Sequence, residues 1–368
     1  MDWNQSEAHD FVFSDRTFVF VAAVWFLGVA SKRLGMPSLV GEIACGFLLG
    51  PPLADFVPYP HAMTVIGSLG LIGLILESGI CLDVAQLKEV GNRAILMGLV
   101  GSTLPLVCGY AVGSWKGLPT ESAIAVGAAF APSSLGIAAS ALSAGDVLNT
   151  PIGQTIVATS VVDDVLGLIL LSVLHVFIQT DPAAIDFVIP FLSSFGYLAL
   201  LGSVGVTWLP RLIEKKFLPL FAERRQPIAA FALMFGLLLA YMPLLNYSRA
   251  SYLTGVFLAG VSFSKIHTVR SIFTDKGRPV LNWLLRIFYA ATIGFQVPIT
   301  RFSDPYVLKW GGILCTSSGY VSLTCLRDPI SHMFRPSDSS LGQDTTRHVR
   351  SQVSATGRRR LPVQSLSA

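Results

Sequence analysis

The sequence predicts an all-α, polytopic membrane protein, and three observations carry that prediction. Apolar residues make up 52% of 368 and charged residues only 13%, whereas an ordinary soluble domain carries about 25% charge; this chain lacks the charge to cover a soluble surface. Its apolar residues gather into about eleven stretches near the roughly 20 residues that a helix needs to cross about 30 Å of hydrocarbon. Lysine and arginine are asymmetric between the connections: with the N-terminus outside, thirteen fall in the inside connections and five outside, the bias that orients membrane proteins.

The stretches run over 17–31, 37–51, 62–82, 94–114, 121–143, 151–178, 187–209, 227–244, 251–264, 280–298 and 306–326. The second and ninth are short for a span. Residues 1–16 carry Asp2, Glu7, Asp10 and Asp15 where a signal peptide would be basic, and are expected to form an extracytoplasmic tail. Residues 17–326 form the membrane domain. Residues 327–368 turn rich in Ser, Arg, Asp and Gln and are expected to be a disordered cytoplasmic tail. Their run Arg358-Arg359-Arg360 reads as a solvated segment that touches anionic lipid at most.

Composition also excludes several functions. The net charge of +4 is no nucleic-acid signal, because the basic residues sit between apolar stretches and in one tail. The five cysteines, Cys45, Cys81, Cys108, Cys315 and Cys325, lie in or beside apolar segments without CxxC or metal spacing, so they read as buried thiols and not as a disulfide frame or zinc site. No phosphate loop, nucleophile elbow or nucleotide fingerprint is present, and no cofactor is expected.

The sharpest feature is Asp163-Asp164 within PIGQTIVATSVVDDVLGLILLSVLHVFI, residues 151–178. At a rise of about 1.5 Å per residue the pair lies near the bilayer midplane. Ionisable groups at that depth are costly, and mark ion or proton pathways. A carboxylate binds either a proton or a hard cation such as Na⁺, and the two compete for the same oxygens. The structural alternative is a pair neutralised by buried basic partners, but no structural need calls for two consecutive acids pointing about 100° apart on a helix.

The preceding stretch, ESAIAVGAAFAPSSLGIAASALSAG, is interrupted by Pro132, with Ser133 and Ser134 directly after it. Proline removes a backbone donor and frees a carbonyl, and broken helices with freed carbonyls build midplane ion sites in transporters. A simple proline kink is the plainer reading. Glu42, Glu77 and Arg286 are secondary candidates. Glu42 sits among small residues, with Gly46 and Gly50 spaced for helix contact, and Glu77 lies toward a helix end; both also suit hydrogen-bonded structural acids. Arg286, about six residues into its stretch, reads as snorkelling to the inner interface or as a counter-charge to the Asp pair.

These segments resemble the sodium/proton exchanger superfamily, in the branch of the bacterial sodium/proton and potassium-efflux antiporters. The resemblance spans roughly residues 17–300. MPSLVGEIACGFLLGP (36–51) and VVDDVLGLILL (161–171) carry it most specifically. GLIGLILESGICLDV (70–84), APSSLGIAASAL (131–142), LTGVFLAGVSFS (253–264) and LLRIFYAATIGFQV (284–297) add weaker matches. The resemblance implies an inverted-repeat transporter with a dimerisation scaffold and a moving core, working by alternating access as a homodimer. It implies Asp164 as the main cation and proton carboxylate, Asp163 as its partner, Ser133 and Ser134 beside them, and Na⁺, K⁺ or Li⁺ as the transported cation, the Asp-Asp pair resembling that of the sodium-preferring members. That architecture continues with a basic residue on the helix after GFQV, a second broken helix and a final one. Residues 306–326 hold no Lys or Arg after Lys309, and no apolar segment follows. The second repeat is therefore expected to be incomplete, and the chain reads as a C-terminally shortened member.

The leading expectation is thus a monovalent cation/proton antiporter that is not an enzyme, with its N-terminus outside and its C-terminus cytoplasmic. The alternative is a transport-inactive relative acting as a regulatory or assembly partner. An intramembrane aspartyl protease would need single aspartates on two facing helices, and a channel would need a filter or pore-lining ring; neither pattern is present.

Overall fold

The computed structural model describes residues 3–83, 90–131, 138, 142, 145–148, 150–178, 184–222, 225–281, 283, 286–313, 315 and 316. Every regular element among them is helical. In chain order these are α1 (Trp3–Arg33), α2 (Ser38–Leu49), α3 (Pro60–Cys81), α4 (Asn92–Trp115), α5 (Thr120–Phe130), α6 (Pro151–Leu174), α7 (Ala184–Thr207), α8 (Gln226–Tyr247), α9 (Tyr252–Phe263), α10 (His267–Ile272) and α11 (Arg286–Phe295). Residues 305–313 are helical as well. Short turns carry the chain from α7 through Leu209–Leu220 and from α10 through Phe273–Val280.

Each expected apolar stretch therefore contains a helix. Among the described residues six apolar spans are long enough to cross a membrane: Ser14–Arg33, Pro60–Cys81, Ala94–Trp115, Pro151–Leu174, Ile185–Leu220 and Gln226–Tyr247. The protein is an integral membrane protein. Three apolar helices are shorter, Ser38–Leu49, Thr120–Phe130 and Tyr252–Phe263. Twelve residues reach only about 18 Å, so α2 and α9 have to be flanked by protein instead of spanning alone. For α9 this is visible directly, since every residue from Leu253 to Phe263 is buried.

Local sequence explains where the helices begin and end. The stretch Trp3–Leu27 holds neither Gly nor Pro, so α1 starts at Trp3 and the expected 1–16 tail is helical from that point on. Lys32 and Arg33 close α1, where positive charge suits the negative end of the helix dipole. Gly35 follows at φ +79°, a left-handed turn that glycine adopts without strain, and Pro37 precedes α2. Pro60 opens α3, a position at which the missing N–H costs nothing. The expected tail 327–368 and Cys325 lie outside the described residues. Cys45 is buried as expected, Cys81 and Cys108 half-buried, but Cys315 is exposed, because it stands on the lightly covered helix that follows α11.

Small residues set how closely the helices pack. Gly46 of α2 faces the Ala291 carbonyl of α11, and Gly294 of α11 faces Ile43 and Phe47 of α2. Gly79 of α3 and Gly260 of α9 face one another's backbones in the same way, as do Gly109 of α4 and Gly127 of α5. At each crossing a Cβ would overlap main chain, so these are backbone contacts of the kind that small residues allow between membrane helices. Around them lie two main apolar cores. One gathers Leu76, Ile80, Met234, Val256 and Phe263 from α3, α8 and α9. The other gathers Phe20, Val24, Cys45, Met63 and Phe288 from α1, α2, α3 and α11.

The α3–α9 crossing is testable. Gly260→Ala is expected to lower thermal stability, since overpacking a tight contact costs about 1–3 kcal/mol. Gly236→Ala, where an added Cβ meets nothing, is the matched control and is expected to be neutral or stabilising. Size-exclusion profiles of detergent-purified protein after graded heating measure both; equal melting of the two variants would contradict the crossing.

Candidate functional site

Helix α6 carries the paired acids halfway along its 24 residues. Its far end is fixed by a knot of hydroxyls. Ser194 of α7 donates to Ser172 Oγ at 3.0 Å, the Ser251 amide ahead of α9 donates to the same oxygen at 2.9 Å, and Ser172 donates its own proton to the Leu168 carbonyl at 3.1 Å. Both lone pairs and the proton of Ser172 Oγ are thereby used. Helix α4 lies against the opposite stretch of α6, where Gly98 meets the Val162 side chain.

The two aspartates occupy different surroundings. Asp163 is 4% exposed, and Asp164 is half-buried. Ser102, on α4, donates its hydroxyl to Asp163 Oδ1. The same Ser102 oxygen lies 3.0 Å from the Gly98 carbonyl, and a hydroxyl has one proton to give. An ionised Asp163 draws that proton to itself. A protonated Asp163 can instead donate to Ser102 Oγ, returning the hydroxyl proton to Gly98. One residue thus accommodates both states of the acid.

Hydroxyls also stand one turn before each acid on α6. Thr159 donates to the Thr155 carbonyl at 2.8 Å and Ser160 to the Ile156 carbonyl at 3.1 Å. With their protons spent on the backbone, they keep oxygen lone pairs available on the faces of Asp163 and Asp164. Carboxylate and hydroxyl oxygens are the donor set that hard cations take. Sequence reasoning singled out Asp163 and Asp164 but missed Ser102, Thr159 and Ser160. For the latter two a signal existed, a Ser or Thr four residues before each acid; for Ser102 there was none.

The remaining candidates fall elsewhere. Arg286 finds its partner in Glu42, with Nη2 to Oε1 at 3.2 Å, so it is no counter-charge to the Asp pair. Glu77 pairs with Arg278 at 2.7 Å, and Arg249 with Asp186 at 2.5 Å. Among the described residues Asp164 forms no ion pair. Pro132, Ser133 and Ser134 lie outside the described residues; α5 ends at Phe130, just before them.

Comparison with known proteins bears on this arrangement. The family described as sodium/hydrogen exchanger, transmembrane, matches residues 18–323. The chain belongs to the sodium/hydrogen exchanger family. Among its relatives, a Na⁺/H⁺-K⁺ antiporter of Bacillus cereus, GerN, is 25% identical over 290 residues, which cover 78% of this chain and 72% of that one. A Na⁺/H⁺ antiporter of Enterococcus hirae is 25% identical over 279 residues, 74% of this chain and 70% of its own. The structure of the sodium proton antiporter MjNhaP1 from Methanocaldococcus jannaschii aligns with a TM-score of 0.65 at 15% identity, covering 89% of this chain and 80% of that chain. This exchanger therefore shares the antiporter fold, and the matched region contains α4, α6 and the Asp pair.

The Ser102–Asp163 contact yields a prediction. Ser102→Ala removes a hydrogen bond to a charged group, worth about 1.5 kcal/mol or roughly tenfold. The cation concentration for half-maximal exchange in proteoliposomes is expected to rise by about that factor, while Ser102→Thr, which keeps the hydroxyl, stays near the parent. An unchanged value in Ser102→Ala would remove Ser102 from the site.

Proposed function

We propose that this exchanger swaps a monovalent cation, Na⁺ foremost, for protons by alternating access, the two species competing for the carboxylates of Asp163 and Asp164. The observation that carries this reading is the placement of two adjacent acids at mid-depth of α6, one buried with a hydroxyl of α4 against it and the other half-buried without an ion pair among the described residues. The names of the relatives from Bacillus cereus and Enterococcus hirae, both antiporters of Na⁺ and H⁺, support the cation class.

The physics of exchange follows from charge. An unneutralised carboxylate pair is costly to carry through a low-dielectric interior. Loaded with a cation or with protons, the site loses that cost; empty, it keeps it. Inward and outward states then interconvert readily only when something is bound, so that each crossing by a cation obliges a return with protons. Asp164 takes the main carrier role because it is the less buried of the two acids. Asp163, held by Ser102, acts as its partner. In this reading the Lys- and Arg-rich connections face the cytoplasm, the N-terminus lies outside, and the protein works as a homodimer.

Purified protein in proteoliposomes with a trapped pH-sensitive dye tests the proposal, with Na⁺, K⁺ or Li⁺ added outside. Cation-driven proton movement is expected, strongest with Na⁺. Asp164→Asn is expected to abolish it with membrane insertion intact, and Asp163→Asn to change cation selectivity or stoichiometry. Undiminished exchange in Asp164→Asn would sink the assignment of that residue. Correctly inserted wild-type protein that moves no protons with any of the three cations would sink the antiport reading itself.

A further inference from the structure

A second polar site lies away from the Asp pair, where α1, α2 and α11 meet. A cavity of about 300 Å³ opens there, lined by Trp25 and Lys32 of α1, Glu42 of α2, Trp283 ahead of α11 and Arg286 at its start. Glu42 reaches it because Gly28 of α1 has no side chain; a Cβ there would stand 3.0 Å from Glu42 Cγ and Oε1. The Glu42–Arg286 pair uses only Oε1 and Nη2. Glu42 Oε2 and Arg286 Nε are buried without hydrogen-bond partners. A buried carboxylate oxygen lacking a donor and a buried guanidinium N–H lacking an acceptor are each expensive, and here they belong to two residues that line one cavity.

The chemistry that satisfies both is specific. Arg286 Nε and the Lys32 ammonium call for an acceptor-rich anion, and Glu42 Oε2 calls for a cation that carries N–H. A free phosphate would leave Glu42 unanswered and repelled. A choline group has charge but no N–H, and a glycerol headgroup has no cation. A phosphate linked to a primary ammonium meets all three. The surroundings indicate lipid as its source. Trp25 and Trp283, 47% and 69% exposed, flank the opening with ring centroids 6.4 Å apart, and tryptophans of this kind sit at the headgroup level of a bilayer. Lys32 and Arg33 end α1 at the same level, on the face richer in Lys and Arg.

We propose that this cavity binds the headgroup of an ethanolamine phospholipid, the ammonium on Glu42 and the phosphate between Lys32 and Arg286. The site is independent of transport and would stand whether or not the Asp pair carries ions. Native mass spectrometry of the full chain in detergent tests it, with ethanolamine, choline and glycerol phospholipids of identical acyl chains. The ethanolamine lipid is expected to be retained at least about tenfold better than the other two, and that preference to vanish in Glu42→Gln. Because that variant leaves Arg286 uncompensated and can misfold, Lys32→Gln, an exposed change, provides the second arm; it is expected to weaken retention of the ethanolamine lipid severalfold. Equal retention of all three lipids by the wild type, or undiminished retention of the ethanolamine lipid in Lys32→Gln, would overturn the proposal. Displacement of the bound lipid by glycerophosphoethanolamine at equal concentration would overturn the lipid as its source.

Discussion

An ionised side chain taken out of water costs several kcal/mol unless charge or hydrogen bonds replace the lost hydration, and Glu42, Glu77, Asp163 and Asp164 meet that cost in two ways. Glu42 and Glu77 are answered by guanidinium groups, from Arg286 and Arg278. Asp163 is met by a neutral hydroxyl from Ser102, and Asp164 forms no ion pair among the described residues. The distinction is chemical. A resident arginine neutralises an acid permanently and removes it from exchange. A hydroxyl orients an acid but leaves its charge to be balanced by something that can leave.

The packing around the two kinds of acid follows the same division. Where Glu42 and Arg286 meet, α2 and α11 touch backbone to backbone through Gly46 and Gly294, and a core of aromatic and aliphatic side chains closes around Phe20 and Phe288. Around Asp163 the contacts are softer: the Val162 side chain lies on Gly98 of α4, Ser102 reaches across, and hydroxyls line the two acidic faces of α6. The far end of α6 is nonetheless firmly placed by the Ser172, Ser194 and Ser251 knot. The site helix is therefore anchored at one end and polar in the middle.

Much of this was legible in the sequence, for identifiable reasons. Apolar stretches report helices because the bilayer forces backbone hydrogen bonds to close within each segment, so each expected stretch contains one. The short α2 and α9 were visible in their length, and Gly46 and Gly50 in their spacing. Asp163-Asp164 stood out because hydrocarbon makes any acid conspicuous. What could not be read is tertiary. Ser102 looks like any helix serine bonded to its own backbone, and it does lie within reach of Gly98; its second partner sits 61 positions away. Arg286 was seen as a charge in need of an answer, but Glu42, 244 positions distant, could be chosen over the Asp pair only once α2 and α11 were seen to cross. Helix α1 begins well ahead of its apolar stretch for a local reason: no Gly or Pro interrupts the chain between Trp3 and Leu27.

The Glu42–Arg286 pair also constrains what a buried ion pair can mean in such a fold. Exchange for well-packed apolar residues often leaves stability unchanged or improved, so stability alone gives no reason for a carboxylate and a guanidinium to share this position. The geometry is also poor for stability, since one oxygen and one N–H of the pair remain without partners inside the protein. A pair built only to hold α2 to α11 would close on itself in the bidentate fashion open to arginine and carboxylate. Here a single 3.2 Å contact joins them, and the unused atoms belong to the two residues that line the cavity together with Lys32. The half-open pair is better explained as one wall of a binding site than as a clamp, which separates its role from that of the acids on α6: one polar site suited to a resident ligand at the membrane surface, the other to a passing ion at the membrane's centre.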